Sequence, residues 1–312
     1  MSTEKGLTMK PLYVADPYVL NVNNRFFLYS ASETDGIFVV RESEDLIHWS
    51  GQKEIFHAGP DDWSRDCYWA PECHVINGKY YLFYSANQNI PSEHETFRIS
   101  VAVSDTPDGE FVLLNNRPLF DPGYPVIDGS IFLEDGHIWL YYSRCCDQHP
   151  VNGIEESWIY TVELKQDLSG ILGEPQLLLQ PCEGWESRSL HTGRRWSEGP
   201  FLLKEDSHCY LIYSCNYFME REYAMGYAVG PGPAGPFIKS LDNPIVTATD
   251  KVWGTGHGCL VRTGQGLKAV YHGYTAGTGE KRVGFVADAL ISEGKLTIRY
   301  PEAVMMEEKS EP

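Results

Sequence analysis

Arg195-Trp196-Ser197-Glu198-Gly199-Pro200-Phe201 sets the pattern for the whole chain, an ionisable residue that runs directly into an apolar strand. The same arrangement recurs as Asp16-Pro17-Tyr18-Val19-Leu20, Glu72-Cys73-His74-Val75-Ile76, Asp128-Gly129-Ser130-Ile131-Phe132 and His257-Gly258-Cys259-Leu260-Val261. Asp16, Glu72, Asp128, Glu198 and His257 thus lead five copies, spaced by 56, 56, 70 and 59 residues. Such periods exceed a solenoid repeat and suit a propeller blade with its loops.

Working outward, a second strand follows each leading group: Phe26 to Ser30, Tyr81 to Ser85, Trp139 to Ser143, Tyr210 to Ser214 and, less regular, Lys268 to His272. Asn23-Asn24, Asn77-Gly78 and Asp135-Gly136 separate the two strands, residues that supply the positive φ of a two-residue hairpin. Third strands are predicted at Ile37 to Val40, Ile99 to Val103, Trp158 to Val162, Met225 to Val229 and Val283 to Ala287. Fourth strands are predicted at Glu110 to Leu114, Pro175 to Leu179, Pro236 to Lys239 and Lys295 to Arg299, while the first unit is expected to close near Asp45 to Trp49. The fold class is therefore all-β, a five-bladed β-propeller forming a single domain over residues 1–312, with blades starting near 12, 68, 124, 195 and 253. Asn115 to Tyr124, rich in Pro, Gly and Asn, reads as a crossing between units.

The net charge of −18 and pI near 4.9 argue against nucleic acid and against an anionic membrane surface, and would repel a polyanion. A neutral oligosaccharide is the better partner. A chain 42% hydrophobic and 13% aromatic has ample material for a buried core. Met1 to Lys10 carries two lysines and a glutamate with no apolar run, and no stretch reads as a membrane span, so the expected compartment is cytoplasmic. Eight cysteines (Cys67, Cys73, Cys145, Cys146, Cys182, Cys209, Cys215, Cys259) form no Cys-x-x-Cys pair and are expected as reduced, small core residues. Oligomeric state is not written in this pattern.

Core packing prefers apolar groups, so five related positions carrying Asp, Glu, Asp, Glu and His point to chemistry or to ion binding. Pro17 places Asp16 at the exposed start of a strand. Val126-Ile127 surround Asp128 with apolar neighbours, and glycines flank His257 where backbone must approach closely. Trp69 serves either as a wall for a sugar ring or as packing between units. The longest excursion, Pro181 to Arg195, carries Trp185, Arg188, His191, Arg194 and Arg195 and is expected over the mouth of the site. Two facing carboxylates are the minimum equipment for glycoside hydrolysis, and a third nearby raises the acid's pKa. The residues alone do not say which is which. Groups on different blades favour the wide separation that admits a water, hence inversion.

Asp16 in Ala-Asp-Pro, Trp69-Ala70-Pro71, Ile127-Asp128 with Ser130 and Phe132, Ser197 to Pro200 with Tyr213-Ser214, and Gly254 to His257 together resemble glycoside hydrolase family 43, over nearly the whole chain. The resemblance implies a five-bladed propeller that inverts the anomeric carbon, with Asp16 as general base, Glu198 as general acid and Asp128 as the residue that tunes and orients the acid. It implies no required cofactor, a histidine (His257) that in some members helps hold Ca2+ or another ion near the axis through water, and an arginine (Arg282) that touches the sugar. Glu72 stands where the family varies and is expected as a subsite or structural residue. Without the C-terminal β-sandwich of many β-xylosidases, the chain is expected to be an α-L-arabinofuranosidase; without a secretion signal it is expected to meet short arabinose- or xylose-containing oligosaccharides rather than polymer, and so to be exo-acting. A β-D-xylosidase, a related hydrolase or phosphorylase on another sugar, and a sugar-binding propeller without catalysis remain as alternatives.

Overall fold

The computed structural model describes residues 9–145, 148–182, 184–189 and 193–309. Met1 to Thr8, Cys146 and His191 lie outside the described residues. Within them the fold is all-β apart from two single turns of 3-10 helix, Trp185–Ser187 and Tyr300–Glu302.

Five antiparallel meanders follow one another. The first is Tyr18–Val22, Arg25–Ala31, Ile37–Ser43 and Lys53–His57. The second is Ser64–Ile76, Lys79–Gln88, Phe97–Ser104 and Val112–Leu113. The third is Val126–Glu134, His137–Arg144, Ile154–Leu164 and Ile171–Leu179. The fourth is Arg194–Glu205, His208–Cys215, Ala224–Gly230 and Ile238–Lys239. The fifth is Val252–Thr263, Gly266–Thr275, Val283–Ser292 and Lys295–Ile298. The expected hairpin turns have the required backbone, with φ of 54° and 63° at Asn23 and Asn24, and 50° and 79° at Asn77 and Gly78.

The first unit closes differently from expectation. Its fourth strand is Lys53–His57, whereas His48–Trp49 leaves the meander and pairs in parallel with Glu307–Lys309, which pairs antiparallel with Met9–Pro11. The cause is local. Asp45 accepts the backbone N–H groups of Ile47 and His48 at 2.9 and 2.8 Å, turning the chain, and the fully buried Trp49 donates its indole N–H to Leu46 O at 2.9 Å.

Neighbouring units are joined through their first strands. Tyr18 OH lies 3.3 Å from His74 Nδ1, Ile131 N–H points to His74 Nε2 at 3.4 Å, Gly199 N–H donates to Asp128 at 3.1 Å, and Val19 N–H donates to Cys259 Sγ at 3.3 Å. The last of these joins the fifth unit back to the first.

Aromatic residues fill the seams. Tyr29, Phe38, Trp49, Phe56, Tyr68 and Tyr84 belong to one buried cluster spanning the first two units. Each such ring contributes about 2 kcal/mol or more on burial. The cysteines only partly follow expectation. Cys73, Cys209, Cys215 and Cys259 are free and buried, and Cys67 is free and half-buried. Cys182 is exposed in a connection, so it is no core residue. Cys145 is disulfide-bonded, correcting the reduced state expected for it; it sits just beyond a strand end among Phe97, Ile127 and Trp196.

Candidate active site

The leading residues reach one place because the first strands are bulged. Register breaks between Ile127 and Ser130, between Glu198 and Phe201, and between Gly256 and Gly258. Positive φ falls at Asp128 (60°), Gly199 (58°) and His257 (43°), and at Asp16 (48°) just before its strand. A bulge re-aims its side chain, but left-handed backbone costs a residue with a Cβ on the order of 1–2 kcal/mol. A recurring hydrogen bond offsets that cost. Asp128 N–H donates to Ser85 Oγ at 3.0 Å and His257 N–H to Ser214 Oγ at 2.8 Å, each serine being the last residue of the second-strand signature in a neighbouring unit. In the fifth unit that position is His272, and its Nδ1 accepts Asp16 N–H at 3.1 Å.

A cavity of about 270 Å3 opens over these groups. Asp16, Asp128, Glu198, His257 and Arg282 line it, and so does Trp69, 41% exposed, with its ring centroid 4.5 Å from that of Phe97. Six of the seven residues singled out in the sequence therefore share the cavity. Glu72 does not line it. Its Oε2 lies 3.0 Å from His74 Nε2, in the histidine bridge between the first three units.

The carboxylates differ in surroundings. Burial alone would raise Asp16, but Arg282 Nη1 donates to its Oδ1 at 2.9 Å and His257 Nδ1 lies 3.2 Å away, and these two charges hold the carboxyl far below the usual range. Asp16 is ionised at any working pH. Glu198 is 6% exposed, and burial followed by the negative charge of Asp128 pushes it up to about 8. Tyr223 OH donates to Glu198 Oε1 at 2.8 Å, leaving Oε2 as the atom to carry the proton. Asp128 is also raised, chiefly by burial, yet its Oδ2 accepts from Ser143 Oγ at 3.3 Å and from Gly199 N–H at 3.1 Å. Those donors favour the anion, so the proton shared by this pair resides on Glu198. Burial works against a charged His257, but Asp16, Asp128 and Glu198 together raise it. His272 is driven down to about 4 by burial and by Arg282, and is neutral.

His257 turns its Nδ1 to Asp16, and among the described residues no group of three or more His, Cys, Asp or Glu side chains is arranged to hold a metal. The site thus offers no direct ligand set for the expected ion.

Among the described residues of the excursion at 181–195, Arg194 lines the cavity; it pairs with Glu155 at 3.0 Å and lies over the Trp196 and Tyr217 rings. Arg195 is taken up by the buried Glu156 at 2.9 Å, and Trp185 packs on Tyr213. Three further residues at the site were not singled out in the sequence. Phe218 lines the cavity under Arg282, whose guanidinium carbon is 4.9 Å from the ring centroid. Tyr223 and His272 stand behind the carboxylates; the departure of His272 from the serine signature was the one clue available.

Comparison with known proteins agrees with this geometry. The sequence profile of Glycosyl hydrolases family 43 matches residues 9–289. A β-D-galactofuranosidase of Aspergillus niger is 27% identical over 293 residues, covering 87% of this chain and 77% of that protein. An extracellular exo-α-(1→5)-L-arabinofuranosidase of Streptomyces chartreusis is 27% identical over 277 residues, covering 83% and 79%. The crystal structure of a thermostable family-43 glycoside hydrolase superposes with a TM-score of 0.82 at 33% identity, covering 95% of each chain. With the family profile spanning nearly the whole chain, the protein belongs to glycoside hydrolase family 43.

Proposed function

We propose that this chain is an inverting, exo-acting glycosidase that releases a terminal pentose, α-L-arabinofuranose first among the candidates, and that its five meanders are the five blades of a single propeller domain. The observation that carries the reading is one small cavity holding an ionised Asp16 and a protonated Glu198. A volume of about 270 Å3 is at the small end of ligand cavities, which run roughly from 300 to 1,000 Å3, and suits a chain end better than a continuous polymer. Both relatives described above act on furanosides, which favours a five-membered ring.

In the proposed mechanism Glu198 Oε2 gives its proton to the leaving oxygen. Asp16 takes a proton from the water that attacks C1 on the opposite face, and the sugar leaves with inverted configuration. Asp128 stays ionised beside Glu198 and keeps its proton in place until the glycosidic oxygen takes it. Arg282 and His257 keep Asp16 charged and aimed, and Trp69 supplies an apolar wall to the sugar or its neighbour. The reaction needs no cofactor. Release of 4-nitrophenol from the α-L-arabinofuranoside, β-D-xyloside and β-D-galactofuranoside ranks the sugars, and proton NMR of the first-formed anomer reads the stereochemistry. Arabinofuranoside turnover with an inverted first product is expected. Retention, or silence on all three from a folded protein, would refute the reading.

A further inference from the structure

Tyr223 and His272 do not line the cavity, yet each bonds one of the two carboxylate residues proposed as acid and base. Tyr223 is fully buried and donates to Glu198 Oε1 at 2.8 Å. His272, also fully buried, accepts the backbone N–H of Asp16 at 3.1 Å. The two rings lie parallel, 10° apart in plane with centroids at 5.9 Å. Gly256 is pressed against the phenol ring, since a Cβ there would sit 2.1 Å from Tyr223 Cε1. The ring therefore has no room to swing. We propose that the Tyr223–His272 pair is a positioning device shared by acid and base, which fixes Glu198 so that Oε2 faces the leaving oxygen and fixes Asp16 at its left-handed turn. The inference rests on the acid and base roles given above.

Its physical logic is asymmetric. A phenol that donates to Oε1 leaves one carboxyl oxygen to carry the proton, removing the rotamer and tautomer in which the proton faces away from the sugar. Neutral His272, carrying its proton on Nε2, presents a lone pair at Nδ1, which an imidazolium could not do. Among the described residues Nε2 has no hydrogen-bond partner, so the hydrogen bonding of this side chain goes to Asp16. The titrating or charged groups facing Glu198 are Asp128, His257, Tyr223, Asp16 and the Cys215 thiol; those facing Tyr223 are Glu198, Asp16 and Asp128, with neutral His272 against its ring.

The test compares Tyr223→Phe, His272→Asn, His272→Ala and Glu198→Gln with the unmodified protein, using kcat and KM across pH. Tyr223→Phe removes a donor that stabilises ionised Glu198, so the alkaline limb should move up by about one pH unit, and kcat should fall about tenfold to a hundredfold with KM little changed. An unmoved limb with kcat within about twofold overturns the proposal. Asn at 272 keeps an acceptor near the Nδ1 position and should retain more kcat than Ala; equal rates in the two variants overturn the part assigned to His272, and this comparison decides the question should Tyr223→Phe fail to fold. Glu198→Gln separates the premises. If it keeps full activity, the acid assignment itself is wrong; if it is inactive while Tyr223→Phe behaves as the unmodified protein, only the positioning role fails.

Discussion

Asp128→Asn isolates one charge in the site. Asn is nearly isosteric, and its carbonyl oxygen can accept the Ser143 hydroxyl and the Gly199 N–H that now bond to Oδ2. What it removes is the negative charge that, after burial, is the largest cause raising Glu198. After burial Asp128 is the leading cause raising Glu198, and unit charges about 6 Å apart in an effective dielectric of about 20 repel by about 3 kcal/mol. At about 1.4 kcal/mol per pH unit this is worth about two units. The acid must be protonated to work, so activity is lost as pH rises through its pKa, and the alkaline limb of kcat/KM should drop from about 8 toward roughly 6. Linkage gives a second readout of the same sign. A raised carboxyl in the folded state contributes stability that is full below its unfolded value and lost as pH rises through about 8, so the melting temperature of the variant should fall less steeply between pH 5 and 8. The assay is a pH series of kcat/KM on the best 4-nitrophenyl glycoside beside melting curves. A limb that stays at 8 or moves upward in a folded Asp128→Asn protein would refute the electrostatic account.

Asp16→Asn and Glu198→Gln should each lower turnover by roughly three orders of magnitude or more with melting temperature preserved. Because 4-nitrophenol leaves readily without a proton, the Glu198 variant should lose markedly less on that aglycone than on an oligosaccharide, whereas Asp16→Asn should lose equally on both. Arg282→Met removes the first charge that holds Asp16 down, so the acidic limb of kcat/KM should rise, read in a series below pH 6. In Gly258→Ala the new Cβ would stand 2.0 Å from the backbone oxygen of Val270, where no rotamer change relieves the clash, and melting should drop by several degrees or soluble expression should fail.

Much of this architecture could be read in the chain because it repeats. The buried serines at 85 and 214 appear in the sequence as the end of an apolar strand and in the structure as acceptors for the left-handed residues Asp128 and His257. Glu72 shows where the repeat misleads. In the second unit the left-handed residue is Ala70, with φ of 46°, and the register breaks between Trp69 and Glu72, so Trp69 is presented to the cavity and Glu72 turns to His74. A spacing count cannot see a bulge that slides by two residues. Tyr223 was invisible for another reason: it lies in a connection, 25 residues from Glu198, and reaches it from a place packed against Gly256 of the fifth unit. The first unit was misread at His48-Trp49 because its strand partner arrives from residue 307, a pairing no local pattern encodes.

The hydrogen bond between Asp16 and His272 spans 256 residues. On a ribosome the proposed base emerges 256 residues ahead of its acceptor, so a nascent chain could complete several units while Asp16 has nowhere to settle. Seating of the proposed base then has to await the fifth unit, whichever units are made before it. A chain cut short before residue 272 would present Glu198 without a seated Asp16.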